Sequence, residues 1–394
     1  MPTVLTINAG SSSVRFAIFE ASRPPRRLLR GKIERIGSDD ASLTVDQGAD
    51  FAPMQIKAGV KKHGAAIDIL LDWLESQPLF NELNGVGHRV VHGMLHSAPE
   101  RVTSEVLNEL KSIIPYDPEH MPREIELIEA LQRRYSQLPQ VVCFDTAFHR
   151  SMPRVATQLP IPRRYAAKGV QRYGFHGLSY TFLMRELARL GEPAAMRGRI
   201  ILAHLGSGAS LAAVRDGQCI DTSMGFTPTA GLVMGTRSGD LDPGLMSHLA
   251  LTDAMDTMQF QTMVNHQSGM LGVSESSADV RDLLAREPSD PRAAEALALF
   301  CYQAKKWIGS FAAALGGVDT LVFAGGIGEN AAPVRKRICD GLSFLGIEID
   351  ESANARHAPR ISTDTGSVAV RVIRTDEESV IAELSIPLLG IEST

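Results

Sequence analysis

Two turns rich in glycine and serine are the segments best suited to hold phosphate. Residues 8–13 (Asn-Ala-Gly-Ser-Ser-Ser) and residues 204–210 (His-Leu-Gly-Ser-Gly-Ala-Ser) each join two short apolar stretches typical of strands. Such turns offer backbone N–H groups and hydroxyls to anionic oxygens, and glycine permits their close approach. Neither turn ends in the Gly-Lys-Ser/Thr spacing of a P-loop. An ordinary serine-rich hairpin is the alternative interpretation of either turn taken alone.

Three further side chains suggest chemistry on carboxylate and phosphoryl groups. Arg89 lies in Gly-His-Arg-Val-Val-His-Gly, where a guanidinium can bind a carboxylate through two parallel N–H···O bonds; the alternative is a structural salt bridge. Arg237, in a glycine-flanked loop, suits the charge that develops on a transferred phosphoryl group, and the alternative is a solvated arginine. His176 stands between Gly174 and Gly177, so we expect an accessible ring; the alternative is a packing role.

Acidic residues and a third glycine-rich segment follow predicted strands. Asp145 ends the apolar run 141–144, where parallel sheets present functional groups, although it would also serve as a helix cap. Residues 324–330 (Ala-Gly-Gly-Ile-Gly-Glu-Asn) are similar to a nucleotide-binding loop but lack GxGxxG spacing, and a helix-entry turn is the alternative. Asp376, Glu377 and Glu378 fit the first turn of a final helix.

Alternating strand and helix patterns predict two α/β domains that meet at a cleft. Thr103 and Pro122 indicate two helix starts, and residues 291–315 form a long helical pattern. The strand–turn–strand pattern of residues 4–19 recurs at residues 200–214, which suggests an internal duplication. We expect an N-terminal domain of residues 1–148 plus 378–394, with the carboxylate site, and a C-terminal nucleotide-binding domain of residues 149–377.

Composition excludes several classes of protein. The chain has 394 residues, a formal net charge of −5 and 44% hydrophobic residues, which indicates a globular protein without general attraction to nucleic acid or anionic membranes. Its four cysteines lack CxxC spacing, which argues against a zinc site and a disulfide framework. No apolar run reaches the ~20 residues of a membrane span, and the N-terminus lacks a signal-peptide pattern. We therefore expect a cytoplasmic protein without nucleic-acid or membrane partners.

The order and spacing of these motifs resemble the acetate kinase family, in the superfamily that includes actin and the sugar kinases. The resemblance runs from Thr6 to about Ala382, and its most specific stretch is Asp-Thr-Ser-Met-Gly-Phe-Thr-Pro at residues 221–228. It implies a duplicated, two-domain actin-like/sugar-kinase (ribonuclease H-like) α/β fold. It also leads us to expect an interdomain cleft that closes on nucleotide and excludes water.

The resemblance implies roles for individual residues. The implied catalytic set is Arg89, His120, Asp145, His176 and Arg237. Arg89 would bind the substrate carboxylate, and Val91, Phe175 and Pro228 would surround its alkyl group. Asn8 and Glu377 would be associated with Mg²⁺, with Mn²⁺ as the alternative ion. The implied nucleotide-binding residues are Arg15, His204, Leu205, Gly206, Ser207, Gly208, Asp279, Val280, Arg281, Gly326, Ile327, Gly328, Glu329 and Asn330.

The sequence departs from the family pattern at several of these positions. Ser207 stands where asparagine is common, and Arg15 stands where lysine is usual. Glu119 occupies the place of an apolar pocket residue beside His120, and Tyr116 offers a competing alignment for that histidine. These changes leave phosphoryl transfer intact and leave the chain length of the substrate open.

The resemblance implies the reaction of acetate with ATP, which gives acetyl phosphate and ADP, in a homodimer. A carboxylate is already ionised at neutral pH, so its attack on the γ-phosphorus needs no general base. On this argument Asp145 would orient Mg²⁺-bound water or Arg237 instead of carrying a proton. A propionate or butyrate kinase is the nearest alternative, and a non-catalytic actin-like nucleotide switch is the alternative from a different class.

Overall fold

The chain folds into two units, each built on its own sheet. The computed structural model describes residues 2–10, 13–34, 36, 41–46, 54–57 and 63–391. We call Met1–Phe148 together with Asp376–Thr394 the N-terminal unit and His149–Thr375 the C-terminal unit. None of the helices in these described ranges combines the length and apolar character that crossing a bilayer requires.

An eight-stranded sheet forms the N-terminal unit, in the order β5-β4-β3-β2-β1-β6-β8-β7. Its strands are β1 (Thr3–Ala9), β2 (Ser13–Glu20), β3 (Arg26–Glu34), β4 (Ser42–Asp46), β5 (Met54–Lys57), β6 (Leu83–Val90), β7 (Glu100–Arg101) and β8 (Gln140–Phe144). Every residue of β1 is buried, as expected for a central strand with both faces covered. The strands predicted on either side of the first turn are confirmed; Ser11 and Ser12 of that turn lie outside the described residues.

The helices of this unit are α1 (His63–Glu75), α2 (Ser104–Ser112), α3 (Met121–Arg134) and the C-terminal helix (Glu377–Leu389). As predicted, the Thr103 hydroxyl accepts a hydrogen bond from the Val106 N–H and caps α2, and Pro122 lies in the first turn of α3. The C-terminal helix packs closely on β6. A Cβ added at Gly87 would lie 2.3 Å from Ser385 Oγ, so the approach of helix and strand requires glycine there.

The C-terminal unit contains a five-stranded sheet in the order β11-β10-β9-β12-β13. Its strands are β9 (Arg199–Leu205), β10 (Ala209–Arg215), β11 (Gln218–Thr222), β12 (Thr320–Ala324) and β13 (Ala369–Val372). Its helices are α4 (Arg154–Thr157), α5 (Arg163–Ala166), α6 (Gly177–Arg189), α7 (Gly244–Thr252), α8 (Thr257–Thr262), α9 (Gly269–Ser274), α10 (Val280–Arg286), α11 (Pro291–Leu315), α12 (Gly325–Asn330), α13 (Ala332–Cys339) and α14 (Glu351–Ala355). Asp290 caps the predicted long helix α11, which ends at Gly316 in the left-handed conformation.

The two sheets share one plan. In β3-β2-β1-β6-β8, the first three strands pair antiparallel and the last three pair parallel. The series β11-β10-β9-β12-β13 has the same pattern. The predicted duplicated α/β fold is therefore confirmed, and in each unit the carboxyl ends of three parallel strands meet at one edge, where α/β folds place their sites.

Candidate active site

A buried ion pair joins the carboxyl ends of β6 and β8. Arg89 is the second-last residue of β6, and Asp145 follows the parallel neighbour β8. Asp145 Oδ2 accepts hydrogen bonds from Arg89 Nη2 at 2.7 Å and from Arg89 Nε at 3.1 Å. The exposed fraction of the side chains is 12% for Arg89 and 1% for Asp145. The structure thus brings two predicted site residues together and gives Asp145 a partner, Arg89, that the sequence did not predict.

Almost all donors of the Arg89 guanidinium are occupied. Nη1 donates to the Ala9 carbonyl at 3.2 Å and to Glu124 Oε1 at 3.1 Å. Nε donates once and Nη2 once, both to Asp145, so one Nη2 N–H of the five remains without an acceptor among the described residues. Burial alone would lower the pKa of Arg89, but the charges of Asp145, Glu124 and Glu377 raise it. The guanidinium therefore stays charged, and it forms the salt bridge that was the alternative interpretation of Arg89.

Glu124, in the first turn of α3, completes this cluster. Its side chain is 2% exposed, and its Oε2 accepts a hydrogen bond from the Val91 N–H at 2.9 Å. The Glu124 carboxyl group thus contacts both Arg89, which is predicted to bind the substrate carboxylate, and the backbone of Val91, which is predicted to surround the alkyl group. Burial raises the pKa of Glu124 to about 8, although Arg89 and the Val91 N–H act in the opposite direction.

His120 belongs to a separate polar pair just before α3. Its Nδ1 shares hydrogen bonds with Asp117 Oδ1 at 2.9 Å and Oδ2 at 3.1 Å, and both side chains are buried. Glu119 is half-buried, and the Tyr116 ring contacts the ring of His92 with centroids 5.6 Å apart. The Asp117 carboxylate therefore fixes the orientation of the His120 ring.

The predicted metal-associated residues lie side by side. Asn8 Nδ2 donates to Glu377 Oε2 at 2.7 Å, from the end of β1 to the start of the C-terminal helix. Both side chains also carry oxygen ligands, which fits Mg²⁺; this ion takes few protein ligands and completes its shell with water and phosphate oxygens. Within the described ranges, no group of three His, Cys, Asp or Glu residues could hold a metal by itself. Arg15 pairs with Asn8 across β1 and β2 and is exposed.

Two histidines stack at the amino end of α6 and the carboxyl end of β9. The rings of His176 and His204 lie 4.2 Å apart between centroids, nearly parallel at 25°. His176 Nδ1 shares a hydrogen bond of 2.8 Å with Ser210 Oγ, and His204 Nδ1 shares one of 2.8 Å with Ser179 Oγ. His176 adopts the left-handed conformation (φ 60°) and is half-buried, so the flanking glycines leave its ring only partly accessible.

Gly208, in the second glycine-rich turn, lies against two predicted stabilising side chains. A Cβ added there would be 3.4 Å from His176 Nε2 and 3.6 Å from Arg237 Nη1. The Arg237 Nη1 also donates to the Pro228 carbonyl at 3.3 Å. The structure thus gathers His176, Arg237 and the turn of residues 206–208 in one place, with Pro228 beside them.

The other predicted nucleotide loops are helix starts. Residues 326–330 lie in α12 directly after β12, where Glu329 Oε1 accepts hydrogen bonds from the N–H groups of Gly325 and Thr375. Asp279 caps α10, its carboxylate accepting from the Arg281 N–H at 2.9 Å and pairing with the exposed Arg281 side chain. The helix-entry alternative for residues 324–330 is confirmed, and residues 279–281 also lie at a helix start. Helix starts present N–H groups to anions.

The residues of the predicted alkyl wall come from both units: Val91 from the N-terminal unit, and Phe175 and Pro228 from the C-terminal unit. Val91 and Phe175 are buried, with exposed fractions of 2% and 1%, and Pro228 is half-buried. The Phe175 carbonyl lies 2.9 Å from His149 Nε2, which anchors the backbone just before His176.

Residues 3–383 of this chain match the model of the Acetokinase family. The chain belongs to the acetokinase family. The resemblance stated from the motifs is thereby confirmed.

The relatives of this chain include proteins named acetate kinase and proteins named propionate kinase. The chain is 42% identical over 386 residues to an acetate kinase of Rhodopseudomonas palustris, with 96% of each chain covered. It is also 42% identical over 387 residues to a propionate kinase of Citrobacter rodentium, covering 96% of this chain and 95% of that one. The crystal structure of an acetate kinase from Porphyromonas gingivalis superposes with a TM-score of 0.87 at 34% identity, covering 99% of this chain and 100% of the other.

Sequence reasoning missed Glu124 and Asp117, which the acetokinase fold places against Arg89 and His120. A signal for Glu124 was present, because it shares the helical spacing of the buried residues Ile128 and Leu131 on α3. A carboxyl group at a core position requires a buried partner. The sequence does not say which partner, since Arg89 lies 35 residues away.

Replacing Arg89 should destabilise the N-terminal unit. Arg89→Ala leaves the buried carboxyl groups of Asp145 and Glu124 without their cation, so we expect the free energy of unfolding to fall by about 3 kcal/mol. The exposed Arg15 provides the control, and Arg15→Ala should change it by no more than about 0.5 kcal/mol. Urea denaturation followed by circular dichroism measures both. Equal stability of the two variants would show that the ion cluster is not structural.

Proposed function

We propose that this chain transfers the γ-phosphoryl group of ATP directly to the carboxylate of acetate, with propionate as the alternative acceptor. The observation that carries the proposal is the position of Gly208, against which both His176 and Arg237 lie. A histidine and an arginine beside a phosphate-binding turn can stabilise the three equatorial oxygens of a loose phosphoryl transition state. The chain belongs to the acetokinase family, which supports a carboxylate as the acceptor.

In this proposal Arg89 binds the acceptor through its remaining Nη2 N–H. A bidentate grip would require Arg89 to release one of its present acceptors, so we expect a single strong hydrogen bond plus the charge. A carboxylate oxygen attacks the γ-phosphorus while the bond from that phosphorus to the bridging oxygen of ADP breaks, and its electron pair leaves with ADP. Since the acceptor is already an anion, no proton is transferred in this step.

Asp145 acts on Arg89 in this scheme and not as a base. Its Oδ2 is engaged by two N–H groups of Arg89, which holds the guanidinium plane in place. We assign metal binding to Asn8 and Glu377; Mg²⁺ bound there would offset the charge of the nucleotide phosphates. We also assign the carboxylate to the N-terminal unit and the nucleotide to Arg15 and the glycine-rich loops of the C-terminal unit. A cytoplasmic location fits this use of ATP.

Formation of an acyl phosphate tests the proposed reaction. Incubation with MgATP and acetate, propionate or butyrate, followed by trapping with hydroxylamine, should yield hydroxamate with acetate and with propionate. One methylene in an apolar pocket changes the preference by only about 1–3 kcal/mol, so we expect overlap of the first two acids. Samples without ATP provide the control. Absence of hydroxamate with all three acids would refute the proposed function. A clear preference for propionate would mean that propionate, and not acetate, is the acceptor.

We also propose a homodimer formed through α7. None of the residues of α7 is buried, although it carries several apolar side chains, and Leu251 is 87% exposed. The flanking Leu241 and Met258 are 44% and 67% exposed. Exposed apolar side chains on one helix and its flanks are typical of interaction sites.

Light scattering after size-exclusion chromatography tests the dimer. The native chain should show twice the mass of one chain, and Leu251→Asp should show the mass of one, because a charge would be buried in the interface. Leu190→Asp, at another exposed leucine, should remain dimeric. A monomeric native protein, or a Leu251→Asp variant that stays dimeric, would contradict the proposal.

A further inference from the structure

Two buried carboxyl groups share a single guanidinium in the N-terminal unit. Asp145 binds Arg89 through Nε and Nη2, and Glu124 binds it through Nη1. The exposed fractions of the Asp145 and Glu124 side chains are only 1% and 2%. If both were ionised, the cluster would carry a net negative charge in a place from which water is largely excluded.

Burial of two carboxyl groups against one guanidinium favours a neutral Glu124 in this cluster. Asp145 accepts two hydrogen bonds from the guanidinium, at 2.7 Å and 3.1 Å, and compensates its charge. Glu124 makes one contact at 3.1 Å and uses its other oxygen for the Val91 N–H. A second buried anion is costly when the nearby cation, Arg89, is already paired. In agreement, burial raises the pKa of Glu124 to about 8.

The charged groups that act on Glu124 come from three neighbouring elements. Arg89 on β6 favours the ionised form, and so does the hydrogen bond from the Val91 N–H. Asp117, in the turn before α3, and Asp145, after β8, both disfavour it. A substrate carboxylate on Arg89 would be a further anion in the same cluster and would act in the same direction as these two.

We propose that Glu124 is a positioning residue that sets the affinity of Arg89 for the substrate carboxylate. Protonated, Glu124 still accepts a hydrogen bond through its carbonyl oxygen, and it does not compete for the charge of Arg89. Ionised, it competes with the substrate for that charge. The inference rests on the proposed function, because it takes Arg89 as the ligand of the acceptor.

Proton linkage predicts the direction in which acetate affinity changes with pH. Acetate binds more tightly to the form with protonated Glu124, so acetate binding must by reciprocity take up a proton from solvent. Below the pKa of Glu124 the acetate KM should be constant. Above it the KM should rise, by at most about tenfold per pH unit. The KM for ATP should not follow this rise, since the predicted nucleotide contacts do not involve Glu124.

The experiment compares the native enzyme with Glu124→Gln and with Glu126→Gln. Glu126 lies on the same helix and is exposed, so its amide provides a matched control. The amide at position 124 keeps a neutral acceptor for Arg89 Nη1 but cannot ionise. Acetate KM and ATP KM are measured from about pH 6.5 to about pH 9, each with the other substrate saturating.

We expect the acetate KM of the native enzyme and of Glu126→Gln to rise about fivefold or more between about pH 7 and about pH 9. For Glu124→Gln it should change by less than about twofold, while ATP KM stays level in all three proteins. A purely structural role for Glu124 would change stability or kcat but would not remove a pH dependence from one KM. A flat native profile, or a Glu124→Gln profile that matches it, would overturn the inference.

A measurement on the native protein covers the case in which Glu124→Gln does not fold. Calorimetric titration with acetate at about pH 8, in two buffers with different ionisation enthalpies, counts the protons taken up. Uptake of a fraction of a proton supports the inference, and no uptake overturns it. Failure of the proposed function is distinguishable, because the native enzyme would then form no acyl hydroxamate at any pH.

Discussion

A buried guanidinium must be surrounded by acceptors, and Arg89 meets this constraint with groups from three other segments of the N-terminal unit. Ala9 ends β1, Asp145 follows β8, and Glu124 lies in the first turn of α3, all against the end of β6. Removing one charge from such a cluster leaves another uncompensated. The same interactions that hold these elements together also fix the direction of the Nη2 N–H that, among the described residues, is left for the proposed carboxylate substrate.

The fold could be predicted largely from local patterns. Continuous apolar runs such as that of β1 identify central strands, and Asp290 with Gly316 marks the two ends of α11. The strand–turn–strand similarity of residues 4–19 and 200–214 corresponds to the shared order of the two sheets. The sequence could not predict the long-range pairing of β6 with β8, because register between parallel strands depends on contacts far apart in the chain.

The sequence predicted which residues belong to the candidate site, but it did not predict which residues they contact. Motifs identified Arg89, His176 and Arg237, and the structure places the last two against Gly208. The ion pair of Asp145 with Arg89 and the pairing of Glu124 with the Val91 N–H were not predicted. Both depend on three-dimensional packing, and burial gives Glu124 a protonation behaviour that composition does not reveal.

The most direct test of the account is the KM split of Arg89→Lys. Lysine keeps the positive charge for Asp145 and Glu124 but lacks the planar array of N–H groups, so the cluster retains a cation while the carboxylate ligand changes. The account predicts an acetate KM raised by about tenfold or more, with an ATP KM within about twofold of native. An unchanged acetate KM together with a raised ATP KM would show that Arg89 serves the nucleotide and not the acceptor.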